Sequence, residues 1–210
     1  VVGLASAGEG ERLLQSLVLP DTPAVAQACA LVTALGPKAL ENHAFRTWAW
    51  GLFLGLRDGL SFDRETFALS AILHDLALAR RSSDKVCFAA DGAAQAQSEL
   101  DSWGAPKSQQ AAVGEAICLH LRAEVPVDLG VEAHLVHAGA AIDVVGGSRL
   151  RSIPPHIREG ILTKYPRRAL KSYLVDRLQR ESDEHPDSRI ALWVSMGFLD
   201  RIRASSFEEP

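Results

Sequence analysis

The chain is expected to be all-α, a compact helical bundle of one domain. Apolar residues recur at three- and four-residue steps almost from end to end, the spacing of one helix face. Alternating runs of the kind that build strands are nearly absent. Capping residues and prolines precede the apolar stretches and glycines follow them, which is how helices start and stop.

Asp21-Thr22-Pro23 is a helix entry, a capping side chain followed by proline in the first turn. The next helix starts near Pro37-Lys38 and runs to Asp58-Gly59, where glycine supplies the stop. Ser61-Phe62-Asp63 opens a third, capped by Asp63 or Ser61, with Glu65 near its positive end and its last turn around His74-Asp75. Asp91-Gly92 begins a helix that stops at Trp103-Gly104, and Pro106 begins one through Val113, Ile117 and Leu121 before Pro126. Leu129 to Val145 is closed by Gly146-Gly147. Pro154-Pro155 opens a helix that closes at Tyr165-Pro166, followed by Arg167 to Arg180 and Pro186 to Arg203. Ala77 to Ala90 is the longest segment without a helical pattern, and long loops in compact domains often cover a site. No repeat, low-complexity tract or splitting linker interrupts the 210 residues, whose core spans about 38–180.

The formal charge of -4 and a pI near 6.0 give no reason to expect a nucleic acid or an anionic membrane as partner. Cys29, Cys87 and Cys118 form no CxxC pair and suit a reducing compartment. The longest uncharged stretch, Thr22 to Pro37, is too short to span a bilayer, and no signal-peptide pattern precedes the first acidic cluster. The expectation is a soluble, cytoplasmic protein, and exposed apolar helix faces would be compatible with a homo-oligomer.

Polar residues on apolar helices carry the chemistry. ENHAFRTWAWG (41–51) and FALSAILHDLAL (67–78) place His43, then His74 and Asp75, on consecutive buried faces. Such groups are costly in a core unless paired, hydrogen-bonded or bound to a metal. His74 and Asp75 point about 100° apart around a helix, yet at its last turn both can converge on one ion beside the axis. Asp143, in HAGAAIDVVGG, best fits a fourth ligand, because a lone carboxylate among small apolar residues is expensive. Imidazole nitrogen and carboxylate oxygen suit divalent ions: zinc first, with iron and manganese also accepted by such sites.

The order His, His-Asp, distant Asp resembles the HD superfamily of metal-dependent hydrolases, and within it the bacterial cyanamide hydratase-like group. The resembling pieces are NHAFRTWAWG, AILHDLAL, CFAADGAAQAQSEL, EAICLHL, HLVHAGAAIDVVG and KYPRRALK, in family order from about Glu41 to about Arg177. The resemblance implies an HD-type helical bundle with His43, His74, Asp75 and Asp143 as metal ligands. It also marks Asp91 and His120 as positions near the site. Ala77 stands where the family usually has glycine, and Leu121 where it has threonine or serine. The loop ARRSSDKV is unusually charged.

Other polar residues have plainer readings beside the functional ones. His120 is a proton relay or a core histidine bonded to a carbonyl. Asp91 caps a helix or approaches substrate, and Arg46, three residues from His43, holds an anion or forms a salt bridge. His134 and His137 share a helix face and support the site or lie on the surface. Trp48 and Trp50 are core, and Lys164, Arg167, Arg168 and Lys171 are a solvated helix face.

The leading expectation is a hydratase or hydrolase of a small molecule, with Asp75 and His120 as catalytic groups acting on metal-activated water. A nucleotide or phosphate-ester phosphohydrolase is the alternative. Such enzymes often carry lysine or histidine just after the doublet, where this chain has Leu76 to Ala79, although Arg80, Arg81 and Lys85 partly substitute. A third reading is a non-catalytic helical binding protein with a structural metal.

Overall fold

The computed structural model describes residues 17–80 and 87–207, and the described residues are helical with no strand. Thr22 caps α1 (Pro23–Leu35), its hydroxyl accepting from the Val25 amide at 3.3 Å. α2 (Lys38–Arg57) follows directly. Residues 39–44 and 46–55 of α2 are all buried, so it is the central helix and has almost no solvent face. Its polar residues must therefore find partners inside. Glu41 takes Lys38 at 2.7 Å and the Thr33 hydroxyl at 3.1 Å, and Asn42 donates to the Pro166 carbonyl at 2.7 Å.

Asp63 caps α3 (Arg64–Leu73), accepting from the Thr66 amide at 2.6 Å. The chain leaves the helix at His74 and Asp75 and re-enters as the single turn α4 (Leu76–Ala79). α5 (Phe88–Ser102) starts three residues before the expected Asp91, with Cys87 at its cap position; Asp91 lies in the first turn. The irregular stretch expected from Ala77 to Ala90 is thus shortened from both ends, and residues 81–86, including Arg81 and Lys85, lie outside the described ones.

α6 (Lys107–Leu119), α7 (Val131–Val145), the short α8 (Gly147–Arg151) and α9 (Pro155–Lys164) complete the larger apolar core, and an exposed 3-10 turn (Val127–Leu129) lies between α6 and α7. α10 (Leu170–Glu184) packs with α11 (Arg189–Ser195) and α12 (Phe198–Arg203) around a second cluster. The single helix expected over Pro186–Arg203 is two, because the chain turns at Gly197 with φ of 82°. That left-handed conformation is open to glycine at little cost.

The helix pair α2–α7 positions the site. A Cβ on Gly139 would collide with the Thr47 carbonyl oxygen, and one on Gly51 would lie 2.6 Å from the Leu135 carbonyl oxygen. Thr47 pairs with Gly139 and Gly51 with Leu135, so one helix rises as the other falls: the pair is antiparallel. Residues four apart share a helix face, so His43 continues the row of Thr47 and Gly51, as Asp143 continues that of Leu135 and Gly139. The glycines let the two backbones approach closely, and the next rung brings His43 against Asp143.

Candidate metal centre

Three histidines reach the centre, each with Nδ1 already committed. His74 and His120 occupy the C-cap positions of α3 and α6, where the last carbonyls lack helical partners. His74 Nδ1 lies 2.8 Å from the Ala71 carbonyl, and His120 Nδ1 bonds the Ile117 carbonyl. A carbonyl only accepts, so both rings carry hydrogen on Nδ1 and present Nε2 outward. His43 Nδ1 lies 2.7 Å from Asp143 Oδ2 and donates to that carboxylate. In a neutral ring each Nε2 is then a bare lone pair, which is the state that binds metals.

These lone pairs converge. His43 Nε2 and His74 Nε2 are 3.2 Å apart. Asp75 Oδ2 is 3.4 Å from the first and 3.3 Å from the second. All three residues are buried. The His43, His74 and Asp75 ligand atoms form a group able to hold a metal ion. The break between α3 and α4 makes it possible, since Asp75 leaves the helical path with φ of -108° and ψ of 24°. His120 Nε2 stands 3.7 Å from Asp75 Oδ1, beside the group and outside it.

Asp143 is elsewhere. Its carboxylate receives His43 Nδ1 at 2.7 Å, Arg46 Nε at 2.7 Å, Arg46 Nη2 at 2.9 Å and Trp50 Nε1 at 2.9 Å. It sits behind the His43 ring, and Nδ1 and Nε2 face opposite ways, so it orients His43 instead of joining the ligand atoms. The carboxylate expected as a fourth ligand is not among the ligand atoms grouped with His43, His74 and Asp75. Arg46 is likewise not a substrate group: fully buried, it grips Asp143 and bonds the carbonyls of Tyr165 and Pro166 at 2.8 and 3.0 Å. Arg167 was missed. Instead of joining a solvated face it is buried, donates to the Asp143 backbone carbonyl at 2.7 Å, and lies over the Phe207 ring at 4.0 Å. Only its place in KYPRRALK hinted at a role.

The electrostatics follow from these contacts. Burial raises the Asp143 carboxyl, but Arg46 and His43 outweigh it and hold it far below its ordinary value. Burial opposes Asp75 too, and His74 and His43 keep it well below the carboxylate range. For His43, burial favours the neutral ring, yet hydrogen bonds to Asp143 and Asp75 raise its pKa. His120 is lowered to about 4, by burial first and then by His74.

That depression sets a pH dependence for metal-stripped protein. Unfolded, His120 protonates through about pH 6.5; folded, it resists until about 4. Between those values the unfolded chain binds more protons, so stability drops as the pH is lowered, by about 3 kcal/mol from this residue. His43, raised, contributes stability below its unfolded value that is lost only above this window. Glu181, raised by burial, works in the opposite direction to His120. Comparison with His120→Gln cancels both. Chelated wild-type protein is expected to lose about 3 kcal/mol more than the variant between pH 6.5 and 4, read from urea unfolding; equal losses would contradict the assignment.

A cavity of about 170 Å³ opens from the centre and is lined by His43, His74, Asp75, His120 and His137 at its polar end. His137 Nδ1 bonds the His120 carbonyl at 3.0 Å, so it belongs to the site. His134 turns to the Val125 carbonyl at 2.6 Å and does not line the cavity. Nor does Asp91, whose Oδ2 accepts from Gln95 Nε2 at 2.9 Å, so the expected substrate contact is absent from the cavity wall. Trp48 is core and Trp50 is core with its indole nitrogen on Asp143. Among the described residues no helix is long and apolar enough to cross a membrane. No protein-family model matches the chain, and no curated protein matches it.

Proposed function

We propose that the protein is a metal-dependent hydratase or hydrolase of a small molecule, of the HD type and resembling the cyanamide hydratase-like group. What carries this reading is the pair of Nε2 atoms 3.2 Å apart, each on a ring whose Nδ1 is already donating. Two lone pairs at that distance repel unless a proton or a cation lies between them, and Asp75 completes a donor set for a divalent ion. Two imidazole nitrogens and a carboxylate oxygen suit zinc first, with iron and manganese also accepted by such donor sets.

When bound, the ion supplies Lewis acidity and lowers the pKa of water. The residues do the rest. Asp143 holds the His43 ring so that Nε2 faces the centre. His120, neutral at pH 7, accepts a proton at Nε2 and returns it. For cyanamide, water oxygen bonds to the nitrile carbon while one of its protons passes to the nitrile nitrogen, and the isourea so formed tautomerises to urea.

Phosphate-ester hydrolysis needs cations beside the reacting oxygens. Arg46 and Arg167 are taken by Asp143, Arg80 pairs with Glu99 at 2.8 Å, and the two arginines that line the cavity, Arg122 and Arg201, are exposed residues. The test is zinc-loaded protein assayed with cyanamide and with a nucleotide panel. Urea from cyanamide supports the proposal. Phosphate release from a nucleotide without urea replaces it with the phosphohydrolase reading, and no turnover of either replaces it with a structural metal.

A further inference from the structure

Beyond the polar end, the cavity wall is apolar. Leu78 of α4, Phe88 of α5, Val144 of α7, Leu174 and Leu178 of α10 and Phe198 of α12 form it, so five separate helices contribute hydrocarbon to one small space. Besides Asp75 and the histidines, the charged residues lining it are Arg122 and Arg201, and both are exposed. The cavity, open to solvent on the side of these arginines, has a volume of about 170 Å³. A dry apolar cavity of roughly 150 Å³ takes up benzene. Cyanamide, with three heavy atoms, would occupy a small part of such a space and touch little of its wall.

We infer that the substrate of this site carries, next to its reacting group, an apolar body of about one aromatic ring: an aryl- or branched alkyl-substituted cyanamide or nitrile. This rests on the hydratase reading for the reacting group and on the cavity for the body. The reacting carbon lies toward His43, His74 and Asp75, and the hydrocarbon lies along Leu174, Leu178 and Phe198. Apolar area removed from water there strengthens binding roughly in proportion to its extent.

The test separates binding from turnover. Zinc-loaded protein is titrated calorimetrically with phenylurea and with urea, the hydration products of phenylcyanamide and cyanamide, and both cyanamides are assayed. Phenylurea is expected to bind on the order of 100-fold more tightly than urea, with a matching preference in kcat/KM. Ala141→Phe, which fills the cavity from α7, is expected to weaken phenylurea at least about 10-fold, metal content showing that the centre survives. Phe198→Ala, which widens it, is expected to admit naphthylurea, and this variant stands if the first fails to fold. Equal affinity for urea and phenylurea, or indifference to both substitutions, overturns the inference even if cyanamide is hydrated. Tight phenylurea binding sensitive to both, with neither cyanamide hydrated, keeps the inferred apolar body and rejects the hydratase reading alone.

Discussion

Replacing His74 with alanine is expected to abolish metal binding. Its Nε2 is one corner of a three-ligand group, 3.2 Å from His43 Nε2 and 3.3 Å from Asp75 Oδ2. Two remaining donors do not hold a divalent ion against solvent, and nothing else in the group replaces an imidazole nitrogen. Loss of a residue that merely supports a ligand costs about 10- to 100-fold in metal affinity, so a direct ligand should exceed that range. Zinc content after dialysis should fall to background, and any hydration of cyanamide should go with it. The ring is buried at a helix end, where alanine frees a small space and leaves the Ala71 carbonyl without its partner, so the fold should survive with a modest loss. Circular dichroism checks the second point and elemental analysis the first. A folded variant with full zinc would remove His74 from the centre and the proposed function with it.

Replacing Asp143 with alanine is expected to act mainly on stability. Four donor atoms converge on a carboxylate with no solvent exposure, and two of them belong to the fully buried guanidinium of Arg46. Removing the anion leaves a cation in the core, which costs about 3–5 kcal/mol. That is a large share of the roughly 5–15 kcal/mol by which domains are folded. Removing both charges together, as Asp143→Leu with Arg46→Met, should recover most of the loss, because the desolvated cation goes as well. The double variant should still bind zinc about 10- to 100-fold more weakly than wild type, since His43 has lost the acceptor that orients it. Urea unfolding and zinc titration measure the two effects. A double variant no more stable than the single one would show that the buried charge is not what Asp143 neutralises. Complete loss of zinc in a stable double variant would instead make Asp143 a ligand.

Helix boundaries were largely legible along the chain. Thr22, Asp63, Pro106 and Pro155 mark starts, and Asp58, Gly104 and Gly146 mark ends, because caps and breakers act on their own few residues. The exceptions were local too: Asp91 is by type the better cap in CFAAD, yet the helix starts at Phe88 with Cys87 at its cap position and Asp91 in its first turn, and Gly197 was passed over inside an apolar run. The grouping of His43 with His74 and Asp75 was also legible, since polar residues on apolar faces require partners.

The chain by itself therefore determined an all-α architecture, the order of its helices, and which side chains would be buried and in need of company. Tertiary packing decided who keeps whom company. Asp143 met the Nδ1 side of His43, Arg46 and Arg167 turned inward upon it, and His137 entered the cavity while His134 did not. Periodicity specifies the face a residue occupies on its own helix. The partner across the gap depends on how closely and in what register two helices meet, and here Gly51 and Gly139 set that distance between α2 and α7.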